Sequence, residues 1–289
     1  MCNRFYRQLS SFLFLVYFFI IACVLFMRRC RSPFAKERKI QLYMLRLSCV
    51  PGTLPVMTAA VRDAVKNGKG EPLTVSLDVT GQSLSNVHKG LTDLYTAATE
   101  TDFLTSVNIV PTVNEAATLK NADLIPGLGY RTYNHVAMGG TFDRLHAGHK
   151  VLLTLSVLTS CERLRIGVTS ASILMKKKYS ELIEPFDVRR KRVFDFVNMI
   201  RPELTYDIVE LTEPSGGVNK IADVDAMVVS LESKPSAETI NAVRVEGGLK
   251  PMEIIIIEYV GNSPDLGSDF KLSSSALRAF EAAEKGTTN

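Results

Sequence analysis

Residues 136–151, VAMGGTFDRLHAGHKV, constrain this chain more than any other stretch. An apolar run from Val136 to Met138 meets two glycines, a short polar turn follows, and then come two histidines three residues apart. From Val151 onward apolar residues recur at helical spacing: Val151, Leu152, Leu153, Leu155, Val157 and Leu158. The pattern reads as strand, turn and helix. Its turn carries Gly139, Gly140, Thr141, His146, Gly148 and His149. Glycines let backbone N–H groups approach a ligand closely, and a helix N-terminus favours an anion. His146 and His149 are about one helical turn apart, so both rings lie on one face at the helix mouth. That arrangement suits the phosphates of a nucleotide.

With 289 residues the chain has room for one large or two modest domains. A composition of 46% hydrophobic and 22% charged residues is globular rather than disordered. The net charge of +4 is mild, and part of it flanks an N-terminal apolar segment, so it is not the footprint of a nucleic-acid binder. The five cysteines, Cys2, Cys23, Cys30, Cys49 and Cys161, form no CxxC pair. Neither a disulfide framework nor a zinc site is indicated, and the folded part suits a reducing compartment.

Residues 11–27, SFLFLVYFFIIACVLFM, are uncharged and almost wholly apolar. As a helix, roughly 17 residues span about 25 Å, enough for a thin bilayer. Arg4 and Arg7 precede the run, whereas Arg28, Arg29, Arg31, Lys36, Arg38 and Lys39 follow it. The heavier basic side favours the cytoplasm, so residues 1–39 are expected to form an anchoring tail with the rest of the chain facing the cytosol. A cleaved signal peptide fits less well, because a small-residue cleavage site is missing. Initiation at Met44 or Met57 would leave a cytosolic protein without the anchor.

Residues 40–130 read as a smaller α/β region of unknown role. Strands are predicted over 72–79 and 106–113, with Pro111 arguing for an edge in the second. Ser85 is placed to cap a helix running to about Thr99, with Val87, Leu91, Leu94 and Tyr95 on one face. A short helix is expected over 115–122 and a junction over 123–130. His88 and Lys89 read as a solvated helix face. The stretch Asn67-Gly68-Lys69-Gly70 lacks the spacing and the following Ser or Thr of a phosphate-binding P-loop.

From residue 131 to 289 the pattern sharpens. Strands are predicted at 135–140, 164–170, 204–211, 225–230 and 252–260, and helices at 147–160, 187–200, 236–247 and 274–285. Ile254 to Ile257 is continuously apolar, as in a strand buried on both faces of a parallel sheet. The alternation implies right-handed crossovers and a doubly wound α/β domain with a parallel, Rossmann-like sheet. Such domains bind ligands at the carboxyl ends of the strands, near the switch in strand order, and the glycine turn follows the domain's first strand.

Four segments converge on that edge. They are the Gly139–His149 turn; the lysines Lys176, Lys177 and Lys178 with Arg189, Arg190 and Arg192 beyond them; Val228-Val229-Ser230 leading to Asn241 and Arg244; and Ser273-Ser274-Ser275 with Arg278 one turn on. Each has a plainer reading. Three lysines make a solvated loop, three arginines a solvated helix face of which only one need point inward, and a serine run a good N-cap. The histidines are harder to dismiss, since two of the chain's four fall in one HxGH.

GGTFDRLHAGHKVLL resembles the signature of the HxGH nucleotidyltransferase superfamily. Three further stretches, LMKKKYSELIEPFDVRRKRV (174–193), VVSLESKPSAETINAVRVEGGLKPMEI (228–254) and KLSSSALR (271–278), are similar to the archaeal and eukaryotic type of phosphopantetheine adenylyltransferase, the adenylyltransferase part of CoA synthase. The resemblance covers about 135–285. It implies transfer of AMP from ATP to 4′-phosphopantetheine with Mg²⁺, giving dephospho-CoA and pyrophosphate, with no metal ligands supplied by the protein. It further implies that His146 and His149 contact the ATP phosphates. Thr141 would orient the acceptor phosphate, and Gly139, Gly140, Phe142 and Gly148 would line the nucleotide site. Lys177 matches the phosphate-binding lysine, with Lys176 and Lys178 leaving the register open. Ser230 would face the acceptor, Ser273 to Ser275 would hold the β- and γ-phosphates, and Arg278 matches the motif's arginine, at the ATP site with a role that is partly structural. Asn241 and Arg244 would belong to the nucleotide or pantetheine wall. By likeness to eukaryotic relatives, the anchor points to the cytosolic face of the outer mitochondrial membrane.

The chain ends about eleven residues after Arg278 and contains no GxxxxGK followed by Ser or Thr, so a separate dephospho-CoA kinase is expected to finish the coenzyme. The alternatives are a CTP-dependent cytidylyltransferase acting on a phospho-alcohol, and a membrane-anchored nucleotide-binding protein without activity. The first typically carries an RTxGIST-type stretch where this chain has FKLSSSALR. The second predicts loss of HxGH or of the serine motif, and both are present.

Overall fold

The computed structural model describes residues 43–48, 52–113, 131–175, 179–257 and 273–286. The apolar run at 11–27, the short helix expected over 115–122, the junction at 123–130 and Lys176 to Lys178 lie outside the described residues. Among the described residues no helix is long and apolar enough to cross a membrane.

The N-terminal region is a β-α-β-α-β unit: β1 (Tyr43–Ser48), α1 (Leu54–Gly68), β2 (Leu73–Asp78), α2 (Leu84–Thr101) and β3 (Val107–Thr112). Its three strands are parallel, in the order β1-β2-β3. Leu73, Val75 and Leu77 alternate inward on β2, as period-2 patterning requires. Pro111 sits on β3, an edge strand, where its missing N–H breaks no ladder. On α2, Val87, Leu91, Leu94 and Tyr95 are buried as expected, but Ser83 rather than Ser85 is the cap, its hydroxyl accepting from Asn86 N–H at 3.2 Å. The sequence reading proposed no helix over 54–68. Its signals are a proline in the first turn and a buried stripe of Met57, Val61, Ala64 and Val65. Lys69 ends α1 in the left-handed conformation at φ 50°, followed by Gly70 at φ 83°, so this glycine stretch is a helix stop.

The second unit contains β4 (Tyr133–Gly140), α3 (Ala147–Thr159), β5 (Ser160–Thr169), a single turn at Ala171–Leu174, α4 (Phe186–Ile200), β6 (Thr205–Leu211), β7 (Ala226–Ser230), α5 (Lys234–Glu246), β8 (Glu253–Ile257) and α6 (Ser274–Gly286). All five strands are parallel, in the order β6-β5-β4-β7-β8. Strand order reverses between β4 and β7, which makes the carboxyl end of β4 the switch point where such sheets bind ligands. One expectation is corrected. The Ile254–Ile257 run is not buried on both faces, because β8 is an edge strand and Ile256 is 39% exposed.

The two sheets share a hydrophobic core that runs from Val61, Leu91 and Ile109 to Val136, Val151 and Val193. Helix α3 lies between them. Val151, Leu153, Leu155 and Val157 are buried, and so are Thr154 and Ser156 on its other sides. A helix apolar nearly all round needs cover all round. The N-terminal unit supplies it, through α2 and β3 packed on α3.

Candidate active site

The carboxyl end of β4 leads into a turn held by an unusual density of charge. Asp143 is fully buried. Its Oδ1 accepts from the backbone N–H of Glu184 at 3.0 Å, and its Oδ2 from Nη1 of Arg278 at 2.5 Å. Arg144 Nη1 donates to both carboxylate oxygens at 3.0 Å, while Nε and Nη2 reach Glu281 on α6 at 2.6 Å each. The Ser274 hydroxyl donates to the Asp143 carbonyl at 2.8 Å. Glu184 in turn accepts from the Arg144 N–H at 3.1 Å and from Arg192. Paired charge of this kind is what allows a carboxylate to be buried at all.

Of the three arginines on α4, Arg189 is the one that points inward. It is 1% exposed and donates to the carbonyls of Glu184 (2.8 Å), Thr141 (2.7 Å) and Thr169 (2.9 Å). It thereby fixes the turn against the end of β5. The Thr169 hydroxyl adds a bond to the Gly140 carbonyl at 3.1 Å. Phe142 adopts φ 52° and buries its ring under Gly140, where a Cβ would come within 3.0 Å of Phe142 Cζ. A larger residue there would have to push the ring aside.

His146 is the N-cap of α3, and no side chain caps that helix. The first N–H groups of α3 therefore open toward the site, with the positive end of the helix dipole behind them. The His146 and His149 rings stack with centroids 3.8 Å apart and planes 27° off parallel. His149 also meets the Phe142 ring at 5.4 Å. The expected common face is thus present. Burial and the nearby charge of Lys150 push the His146 imidazole down to about 4, against the opposing pull of Asp143, so it is neutral at neutral pH.

Several other expected residues are committed to the scaffold. Asn241 makes a two-way amide bond with Met252, donating to its carbonyl at 2.8 Å and accepting its N–H at 2.9 Å, which fixes the entry to β8. Arg244 is fully buried and donates to the carbonyls of Val218, Ile221 (2.7 Å), Val224 (3.3 Å) and Lys250 (2.9 Å). The polar atoms of both residues named in these bonds hold backbone. The serines also have internal partners. Ser273 caps α6 through Ala276 N–H at 3.2 Å, Ser274 binds Asp143, and Ser275 accepts from Arg278 at 3.0 Å. Arg278, 1% exposed, is the buried tie between α6 and the turn. Ser230 ends β7 on the carboxyl edge, its hydroxyl 3.1 Å from that of Ser233. Gly148 lies against His146, 3.3 Å from ring to an added Cβ, and Gly139 faces Leu211. Lys177 lies outside the described residues.

The sequence reading missed Asp143, Arg144, Glu184 and Glu281. One signal was available: a carboxylate between two anion-binding elements requires cations of its own.

Comparison with known proteins bears on what this turn belongs to. No family model matches the chain. A phosphopantetheine adenylyltransferase of Saccharomyces cerevisiae is 38% identical over 146 residues, which is 50% of this chain and 48% of that protein. The enzyme of the same name from Pyrococcus furiosus is 37% identical over 151 residues, 52% of this chain and 89% of the relative. The chain belongs to the phosphopantetheine adenylyltransferase family. Its match spans about half the length of the yeast relative, and that of Pyrobaculum aerophilum, 36% identical over 146 residues, is covered to 90%. The two histidines of HxGH in this chain are the stacked pair at the mouth of α3, and its serine run opens α6.

Proposed function

We propose that the chain transfers AMP from ATP to 4′-phosphopantetheine, giving dephospho-CoA and pyrophosphate. The observation that carries this reading is the stacked His146–His149 pair at the uncapped N-terminus of α3, on the switch-point edge of the sheet, in a chain of this family. An oxygen of the acceptor phosphate attacks the α-phosphorus of ATP. One P–O bond forms, the bond from the α-phosphorus to the bridging oxygen breaks, and pyrophosphate leaves with the electron pair. The nucleophile is already an anion, so no side-chain base is needed. Catalysis is alignment of two anions and stabilisation of the charge that develops between them.

In this reading His146 and His149 donate hydrogen bonds to the ATP phosphates, with His146 acting as a neutral donor. Thr141 orients the acceptor phosphate, and Lys177 and Ser230 complete its surroundings. Gly139, Gly140 and Gly148 let the nucleotide approach the backbone. The N-terminus of α6, with Ser273 to Ser275, receives the β- and γ-phosphates, and Arg278 holds that helix in register with the turn. Mg²⁺ enters as part of the ATP substrate. Asp143 is taken up by Arg144 and Arg278. A dephospho-CoA kinase acts on the product. Residues 11–27 attach the protein to a membrane with the catalytic part in the cytosol, in keeping with the basic residues that follow them.

The test is pyrophosphate release by the full chain with ATP or CTP against a panel of acceptors. Turnover with ATP and 4′-phosphopantetheine is expected. Turnover only with CTP and a phospho-alcohol would replace this reading by cytidylyl transfer.

A further inference from the structure

A second cleft lies on the far side of α3 from the sheet, where the N-terminal unit meets the HxGH segment. Its volume is about 170 Å³, in the range of an engineered cavity that accepts benzene. It is lined from one side by Tyr95, Phe103 and Leu104, and from the other by His146, Lys150 and Leu277. Of these six residues the reaction described above uses only His146.

Lys150 is the group in it that calls for explanation. It is 7% exposed, and its ammonium donates to the carbonyl of Val107 on β3 at 2.7 Å. The Phe196 ring lies 5.9 Å away. An ammonium has three donors, yet among the described residues no carboxylate pairs with this one. The other cation of the cleft, Arg144, is balanced by Glu281 and Asp143. Buried charges are ordinarily paired, because desolvation of a lone ion is costly. Burial draws the Lys150 amine down to about 8, which still leaves it mostly charged at neutral pH.

The outer end of the cleft has the opposite character. Leu104 is 68% exposed, and Phe103 is 39% exposed with its ring edge-on to Phe280 of α6 at 5.2 Å. An apolar mouth over an uncompensated buried cation fits a molecule with one anionic group and a short hydrocarbon stem.

We propose that the cleft between the N-terminal unit and α3 is a binding site for a small amphipathic organic anion, with its charged group on Lys150 and its apolar stem against Phe103, Leu104 and Leu277. Binding there bridges β3 and α3 and so clamps the N-terminal unit onto the helix that carries the histidines. The site shares His146 with the phosphate cradle and extends from it past Lys150 toward β3 and the N-terminal unit.

The probe is hexanoate, titrated calorimetrically into the full chain, with 1-hexanol and hexylammonium as controls for charge. Saturable one-to-one binding of hexanoate is expected, at least tenfold tighter than 1-hexanol, with none for hexylammonium. Lys150→Met should weaken it at least tenfold. Leu104→Asp, at an exposed position that does not threaten the fold, should also weaken it several-fold by adding like charge to the mouth. Saturating pyrophosphate should leave hexanoate affinity within twofold. Absence of saturable binding, equal binding of 1-hexanol, or displacement by pyrophosphate would each overturn the proposal. The last would place the anion in the phosphate cradle.

Discussion

Arg278 Nη1 donates to Asp143 Oδ2 at 2.5 Å, closing 135 residues of chain through a pair in which both side chains are at most 1% exposed. This bond joins the helix led by the serine motif to the turn that leads into HxGH. Breaking one side of a buried ion pair leaves the other charged and dry, at a cost of about 3–5 kcal/mol. Asp143→Asn is therefore expected to lower the unfolding free energy by that amount in urea titrations. A loss below about 1 kcal/mol would mean that α6 is held by other contacts.

Arg244 and Asn241 are expected to behave as scaffold. Arg244→Met removes four donors from the carbonyls of Val218, Ile221, Val224 and Lys250, and Asn241→Leu removes both bonds to Met252. Each buried carbonyl left without a donor costs about 1–3 kcal/mol. Both variants should lose stability while the KM for ATP stays within about twofold, the signature of unchanged ground-state binding. A large rise in that KM at unchanged stability would restore them to the nucleotide wall.

His146 sets a pH dependence whose sign follows from its burial. Its folded pKa of about 4 lies below its ordinary value of 6.5. Between these values the unfolded chain binds a proton that the folded chain does not. Stability from this group is therefore complete above pH 6.5 and is lost as pH falls toward 4. The loss amounts to roughly 3 kcal/mol at most. Urea midpoints measured through that window should fall less steeply for His146→Gln than for the unsubstituted protein. Parallel curves would show that the imidazole is not desolvated.

His149 carries the expected catalytic effect with the least structural confusion. It caps no helix, and its half-buried ring lies against those of His146 and Phe142. His149→Ala should lower kcat by a factor of about 10²–10³ through loss of a transition-state donor. Its circular dichroism and urea midpoint should remain near those of the unsubstituted chain. An unchanged kcat would remove His149 from the mechanism.

The second unit was legible because periodicity reports burial directly. Val136 to Met138, the apolar face from Val151 to Leu158 and the turn glycines determine strand, helix and connection with little help from distant residues. The HxGH stack follows from the same spacing. What escaped was long-range polar pairing. A sequence does not distinguish an arginine aimed at a phosphate from one aimed at a carbonyl, and the backbone bonds of Asn241 and Arg244 were not legible in it. The hub at Asp143 and Arg144 was hidden because its partners, Glu184 and Arg278 for the first and Glu281 for the second, lie 41, 135 and 137 residues away along the chain. Helix α1 and the docking of β3 on α3 were missed for a related reason: Lys150 reads as the polar edge of a helix until Val107 is placed beside it.

The most direct test of the whole account follows a label. The full chain is incubated with 4′-phosphopantetheine and ATP labelled at the α-phosphate, and the products are separated. Label should appear in dephospho-CoA while unlabelled pyrophosphate accumulates in equal amount. Label confined to ATP or released as AMP, with transfer seen instead from α-labelled CTP to a phospho-alcohol, would contradict it.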